Sequence, residues 1–179
     1  MNYLHSVLGE YSTSHAHLQI QRPNQQIVNN STGSTRPAVS DVPDLVSVHG
    51  TLETSDVVQP GASLTVKFQT GPPFPATLPL VWTITGTQGR LRITSERAPF
   101  IGSQSDEYPI PIQLEDFETS EVKEIGWGWE DWQEPLLGRG RSTAKMYDLF
   151  AEGRAKEAGL ADFDAAVRRH AQIDAMLYQ

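Results

Sequence analysis

The chain has 179 residues, with 14 Lys plus Arg against 22 Asp plus Glu for a formal charge of −8, and it contains no Cys. These figures exclude a disulfide framework, a thiolate nucleophile and a zinc–cysteine site, and they argue against nucleic acid, which needs a cationic face. No run of about 18 or more apolar residues occurs, and residues 1–10 hold neither a cationic segment nor a long apolar one, so no membrane span or secretory leader is expected; the chain reads as cytoplasmic and, at this length, as one domain over residues 1–179.

In chain order, residues 2–9 place Tyr3, Leu4, Val7 and Leu8 on one helical stripe. Gly9 sits where a C-cap glycine belongs. Residues 10–22 alternate, with His15, His17, Gln19 and Gln21 on one side and Ala16, Leu18 and Ile20 on the other, which predicts a half-buried strand. Residues 25–28 predict another short strand. Residues 29–43 are rich in Asn, Ser, Thr, Gly and Pro and predict a surface loop, longer than a usual hairpin connection. Residues 44–53 predict a strand with Leu45, Ser47, His49 and Thr51 opposite Val46, Val48, Gly50 and Leu52.

Gln59-Pro60-Gly61 marks a turn, and residues 63–70 predict a strand with Leu64, Val66 and Phe68 inward. Residues 71–79 contain four prolines and predict a rigid surface loop. Residues 80–85 and 90–95 predict a hairpin around Gly86–Gly89. Residues 108–114 alternate through Ile110, Ile112 and Leu114, and residues 120–129 alternate again, ending on Trp127 and Trp129. Residues 142–151 predict a helix with Ala144, Met146, Leu149 and Phe150 at apolar spacing and Ser142 as N-cap. Residues 162–178 predict an amphipathic helix whose apolar stripe is Phe163, Ala166, Val167, His170, Ile173 and Leu177, with Arg168, Arg169, Gln172 and Asp174 largely outside it. The expected class is α+β: a large, mostly antiparallel open sheet of about eight strands, with helices packed on one face.

Several constellations carry chemistry. His15-x-His17 sets two imidazoles about 7 Å apart on one strand face, short of the three or four ligands that zinc takes. Trp127-Gly128-Trp129 offers an aromatic platform for a sugar or polycyclic ligand, or a cover for the core. Residues 106–134 hold ten acidic side chains and one basic. Neighbouring carboxylates on a strand point to opposite faces, so these read as a solvated acidic face rather than an acid–base pair. Arg90 and Arg92 share a strand face and suit either a carboxylate or phosphate clamp or an exposed or oligomer-contacting surface. Arg139-Gly140-Arg141 is a weaker anion contact ahead of a helix. The glycine-rich phosphate loops, the nucleophile elbow and the zinc-protease helix motif are all missing from the sequence.

Val7-Leu8-Gly9-Glu10, Leu18-Gln19-Ile20-Gln21-Arg22-Pro23 and Val42-Pro43-Asp44-Leu45-Val46-Ser47-Val48-His49-Gly50 together resemble a known family. Leu80-Val81-Trp82-Thr83-Ile84, Gly89-Arg90-Leu91-Arg92-Ile93-Thr94-Ser95 and Asp162-Phe163-Asp164-Ala165-Ala166-Val167-Arg168-Arg169-His170 extend the likeness. The chain resembles the C-terminal domain of the Gfo/Idh/MocA oxidoreductases, in the fungal branch that includes the galactose-regulon repressor. The resemblance implies an open-sheet domain that shapes a substrate pocket and makes a dimer. The family's Rossmann domain, with its glycine loop and lysine motif, has no counterpart in this sequence, and the family's acid–base histidine would precede Asn2. No cofactor is therefore expected on this chain, and hydride transfer from NAD(P)H is not expected of it alone. Met1 falls mid-helix, so the chain is expected to be either a fragment or mis-started frame, or a stand-alone domain.

Three functions follow as expectations. The first is a stand-alone domain that binds a small molecule and forms a homodimer, with no membrane or nucleic-acid partner. The second is a cofactor-free isomerase, cyclase or lyase of a fungal small-molecule pathway, with His49 and Tyr108 as catalytic groups. The third is a regulatory protein-binding module. The expected ligand-binding residues are His15, His17, Trp82, Arg90, Arg92, Trp127 and Trp129.

Overall fold

The computed structural model describes residues 2–71, 74–99, 101 and 110–177. In chain order the elements are α1 (Asn2–Leu8), β1 (Tyr11–Gln19), β2 (Asn24–Val28), β3 (Thr35–Val39), β4 (Leu45–Leu52) and β5 (Ser63–Gln69). There follow β6 (Leu80–Thr85), β7 (Gly89–Ser95), β8 (Ile112–Asp116), β9 (Val122–Glu124), α2 (Arg139–Ala151) and α3 (Phe163–Leu177). They fall into two compact units, Met1–Gly71 with Ala161–Gln179, and Pro72–Leu160. The class is α+β. The strands do not form the one large sheet expected. Among the described residues they form three antiparallel sheets, β1-β4-β5, β2-β3 and β6-β7-β8-β9. No helix among the described residues is long and apolar enough to cross a membrane.

In the first unit, register decides which side chains meet. His15 lies opposite His49 and His49 opposite Thr65, while one residue along Ala16, Val48 and Val66 align on the other face. The second row is apolar and the first polar, so one face of the sheet is buried and the other wet. Val48, Leu52 and Leu64 are buried, as are Leu4 of α1 and Met176 of α3. Gly50 permits the start of β1 to kink: a Cβ there would collide with the Thr13 carbonyl oxygen and the Tyr11 ring, where β1 shifts register against β4. Gly9 ends α1 as expected, at φ 76° with its N–H on the His5 carbonyl at 2.9 Å.

The stretch expected as a loop over 29–43 contains β3. Asn29 closes the turn, its N–H on the Ser34 carbonyl at 2.9 Å and its side-chain oxygen accepting from the Ser31 N–H at 2.9 Å. The β2–β3 ribbon is exposed along almost its whole length. β2 falls where a short strand is expected over 25–28, whereas β3 carries Pro37 and has no buried face, so it has no reason to alternate and the pattern does not reveal it.

The expected stripe of α3 points the wrong way for a core. An apolar stripe ordinarily faces the core, yet Phe163 is 89% and Val167 67% exposed, while Met176 is 5% exposed. The side turned inward, toward β1, carries Ala165, Arg169, Gln172 and Met176. The ion pair from Arg169 to Glu10, described below, lies on this inward side.

In the second unit, Trp82, Ile93 and Ile112 align across β6, β7 and β8. Thr83, Arg92, Gln113 and Glu124 align on the opposite, polar face. The strand expected over 120–129 stops at Glu124. The Ile125 N–H makes a further bond to the Ile112 carbonyl at 2.7 Å, and the chain beyond it is irregular up to the turn at residue 131. α2 begins at Arg139, ahead of the expected Ser142, and its cap is Gly138 at φ 36° with no side-chain bond.

Candidate functional site

Register gathers the sequence-predicted histidines. His15 and His49 stand directly opposite each other on the outward face of β1 and β4, where facing Cβ atoms lie about 4.5–5.5 Å apart. His17 follows on the same face, opposite Ser47. His49 Nδ1 pairs with the Thr65 hydroxyl at 2.8 Å. All three imidazoles are exposed. Among the described residues no group of three or more His, Asp or Glu side chains has metal-binding geometry. Tyr108, the second expected catalytic group, lies outside the described residues.

The arginine pair and Trp82 sit in the second unit. Arg90 faces Glu115, Nη1 to Oε2 3.6 Å, with its guanidinium carbon 5.6 Å from the centre of the Phe117 ring. Arg92 shares that face, between Thr83 and Gln113. A clamp for an anion would have to compete with Glu115 for Arg90. Trp82 is buried on the other face of the same sheet, opposite Ile93.

The tryptophan loop between β9 and α2 is held by side chains rather than by a ladder. Trp127 Nε1 donates to the Ile110 carbonyl at 2.8 Å. Trp129 meets it edge to face, centroids 6.2 Å apart and planes at 76°. Gln133 is buried; its oxygen accepts from the Glu130 N–H at 3.0 Å and its nitrogen donates to the Arg141 carbonyl at 3.1 Å. Arg141 donates in turn to the carbonyls of Leu136 and Glu134, each at 2.9 Å. Glu130 takes Trp132 Nε1 at 2.8 Å on one oxygen and Lys145 Nζ at 2.6 Å on the other. Those donors hold the Glu130 carboxyl below its usual range, and Glu130 holds the Lys145 ammonium above its own.

A further cluster, absent from the sequence reading, lies where α1 ends. The His5 side chain is 2% exposed. Its Nδ1 is 2.8 Å from the Gly9 carbonyl oxygen, which can only accept, so the proton sits on Nδ1. Nε2 is buried with no hydrogen-bond partner among the described residues. The Tyr11 ring lies edge-on at 5.4 Å, and Glu10 Oε2 is 3.3 Å from Nδ1. Glu10 Oε1 accepts from Arg169 of α3 at 2.7 Å, and Arg169 also donates to Gln172. Burial lowers the His5 pKa, Arg169 lowers it further, and the Gly9 carbonyl and Glu10 pull the other way. The one local signal was His5 and Glu10 flanking a cap glycine; the Arg169 partner is a tertiary contact no local pattern carries.

A family model described as Gal80p, C-terminal domain, matches residues 1–95. No significant match is found among curated proteins. Solved structures share the fold, among them two of Gal80p. One is a super-repressor mutant of Gal80p from Saccharomyces cerevisiae, at 18% identity and TM-score 0.61, covering 85% of this chain and 36% of that one. The other is the transcriptional regulator Gal80p from Kluyveromyces lactis, at 17% identity and TM-score 0.57, covering 86% of this chain and 33% of that one. The chain thus spans about a third of the length of the structures it matches.

Proposed function

The chain belongs to the Gal80p C-terminal-domain-like family, and from that premise we propose that it is a regulatory binding and assembly module of oxidoreductase ancestry, working in the cytoplasm as a homodimer that associates with a small molecule and with other proteins. The observation that carries this reading is the outward stripe of α3, with Phe163 and Val167 largely exposed. Contiguous exposed apolar surface marks interfaces, and a closed two-fold dimer is the commonest way to cover one. The regulatory sense comes from the solved neighbour named as a transcriptional regulator. Support for an enzymatic reading is thinner. His49 stands on an open polar sheet face, its Nδ1 engaged by Thr65.

Sedimentation velocity at micromolar concentration tests the proposal. The wild-type chain sediments as a dimer, and Val167→Glu, which puts a charge in the middle of the stripe, sediments as a folded monomer. A wild-type monomer across that range would overturn it.

A further inference from the structure

α1 has seven residues, too few to persist as a helix by itself in water. What it buries therefore holds it in place. Among its described side chains Leu4 and His5 are buried, Tyr3 and Leu8 half-buried, and Ser6 and Val7 exposed. One of its two buried anchors is thus an imidazole, the side chain whose charge changes in mild acid.

The neutral ring fits its site and the charged ring does not. Nδ1 already donates to the Gly9 carbonyl at 2.8 Å, so a second proton has to go to Nε2. That atom is buried and meets no acceptor among the described residues. A charged N–H left unpaired in an enclosed site is strongly disfavoured. Charge balance opposes it too. The carboxylate facing the ring is Glu10, 3.3 Å from Nδ1, and its other oxygen is already bonded to Arg169 at 2.7 Å. With His5 neutral, one anion balances one cation. With His5 charged, one anion has to serve two. Tyr11, its hydroxyl held by burial above the ordinary 10.0, stays neutral, and the amino terminus adds a weaker repulsion. In keeping with this, burial holds the His5 pKa below its ordinary value.

The chain has a hinge at the right place. Gly9 lies between α1 and Glu10 at φ 76°, with open space where a side chain would be. Glu10 itself belongs to the sheet: its carbonyl accepts from the Glu53 N–H at 2.9 Å, and its carboxylate holds Arg169 of α3. Rotation about Gly9 therefore removes α1 and leaves β1 and α3 tied. We propose that α1 is an acid-released latch: protonation of His5 drives the ring from its site, and α1 swings out about Gly9 while the β1-β4-β5 sheet and α3 stay folded. Release uncovers the apolar surface that Leu4 covers. The latch does not depend on the outward stripe of α3.

Amide hydrogen exchange of the full chain, followed by NMR from neutrality to about pH 5 and expressed as protection factors, tests the latch. The Gly9 N–H, bonded to the His5 carbonyl at 2.9 Å, reports on α1, and the Leu52 N–H, bonded to the Ala62 carbonyl at 2.8 Å, reports on the sheet. Below the ordinary histidine value of 6.5 the Gly9 protection is expected to fall by up to about tenfold per pH unit, the most that one proton can give, while that of Leu52 holds. His5→Asn keeps an N–H for the Gly9 carbonyl and cannot titrate, and His5→Leu keeps apolar bulk; in both, Gly9 protection should stay level through the range. Leu52 protection at neutral pH establishes that each variant folds. Ring nitrogen shifts of the wild type give the protonation state of His5 directly. Equal losses at Gly9 and Leu52, a charged His5 ring with Gly9 still protected, or the same acid loss at Gly9 in folded His5→Asn or His5→Leu would each overturn the proposal.

Discussion

Glu10 and Arg169, 159 residues apart in sequence, meet at 2.7 Å. The contact ties the end of α1 to the inward side of α3. Arg169 is largely enclosed and Glu10 about a third exposed, so the pair stands between a surface ion pair, worth up to about 1 kcal/mol, and a buried one, whose breakage costs about 3–5 kcal/mol. Arg169→Met is expected to cost about 1–2 kcal/mol within that bracket. Urea unfolding of Arg169→Met, Glu10→Gln and the double variant checks this. If the two single losses simply add, the pair contributes nothing of its own.

The same enclosure makes stability depend on pH. His5 has a lowered pKa in the folded chain, against an ordinary value of 6.5. The unfolded chain therefore takes up its proton first as pH falls. The His5 contribution is fully present above that ordinary value, and it is lost as pH falls from there through the lower folded value. The groups facing His5 are Glu10 and the Gly9 carbonyl beyond α1, Tyr11 of β1 and Arg169 of α3. Thermal melts between neutrality and mild acid should show a falling Tm, and His5→Leu should flatten that limb. A wild-type profile level through this window would show that His5 is not buried neutral.

The two faces of α3 should respond oppositely. Met176 is buried, so Met176→Ala is expected to cost about 2–4 kcal/mol, the range for a large core side chain. Phe163 and Val167 are exposed, so Phe163→Ser or Val167→Ser should stay within about 0.5 kcal/mol in the isolated subunit. Urea midpoints at dilute concentration measure both. Reversed sensitivities would mean that the apolar stripe is the core after all.

Local pattern reveals what is local. The β6–β7 hairpin is legible because Leu91 and Ile93 alternate with Arg90 and Arg92 after a glycine-bounded turn, and the Gly86 N–H does close on the Gly89 carbonyl at 2.9 Å. The His15–His17 spacing is legible too, but that His49 falls opposite His15 depends on register between strands. α3 is legible as a helix, yet its buried face carries Arg169, whose partner Glu10 lies far away in sequence. Trp127 and Trp129 alternate like strand residues and are not in a strand, because alternation supplies no neighbour to pair with. β3 escapes because it carries Pro37 and has no buried face.

Asp44 offers a second pH window, separate from that of His5. Its Oδ1 accepts from the Gln21 N–H at 2.6 Å, and its Oδ2 from the Arg22 N–H at 3.0 Å and from Arg22 Nε at 3.2 Å. These bonds fix the chain where it leaves β1, beside the start of β4. The Gln21 N–H first, then the Arg22 side chain and N–H, hold the Asp44 carboxyl below its ordinary 3.8. For a lowered carboxylate the contribution is present above the ordinary value and is lost as pH falls through the folded one. Asp44→Asn keeps one acceptor and loses the charge. It should lower the urea midpoint at neutral pH and remove the part of the acid limb that lies below 3.8, while leaving the His5 limb unchanged. If instead both limbs moved together, one unfolding of the first unit as a whole, and not two independent titrations, would be setting the acid sensitivity.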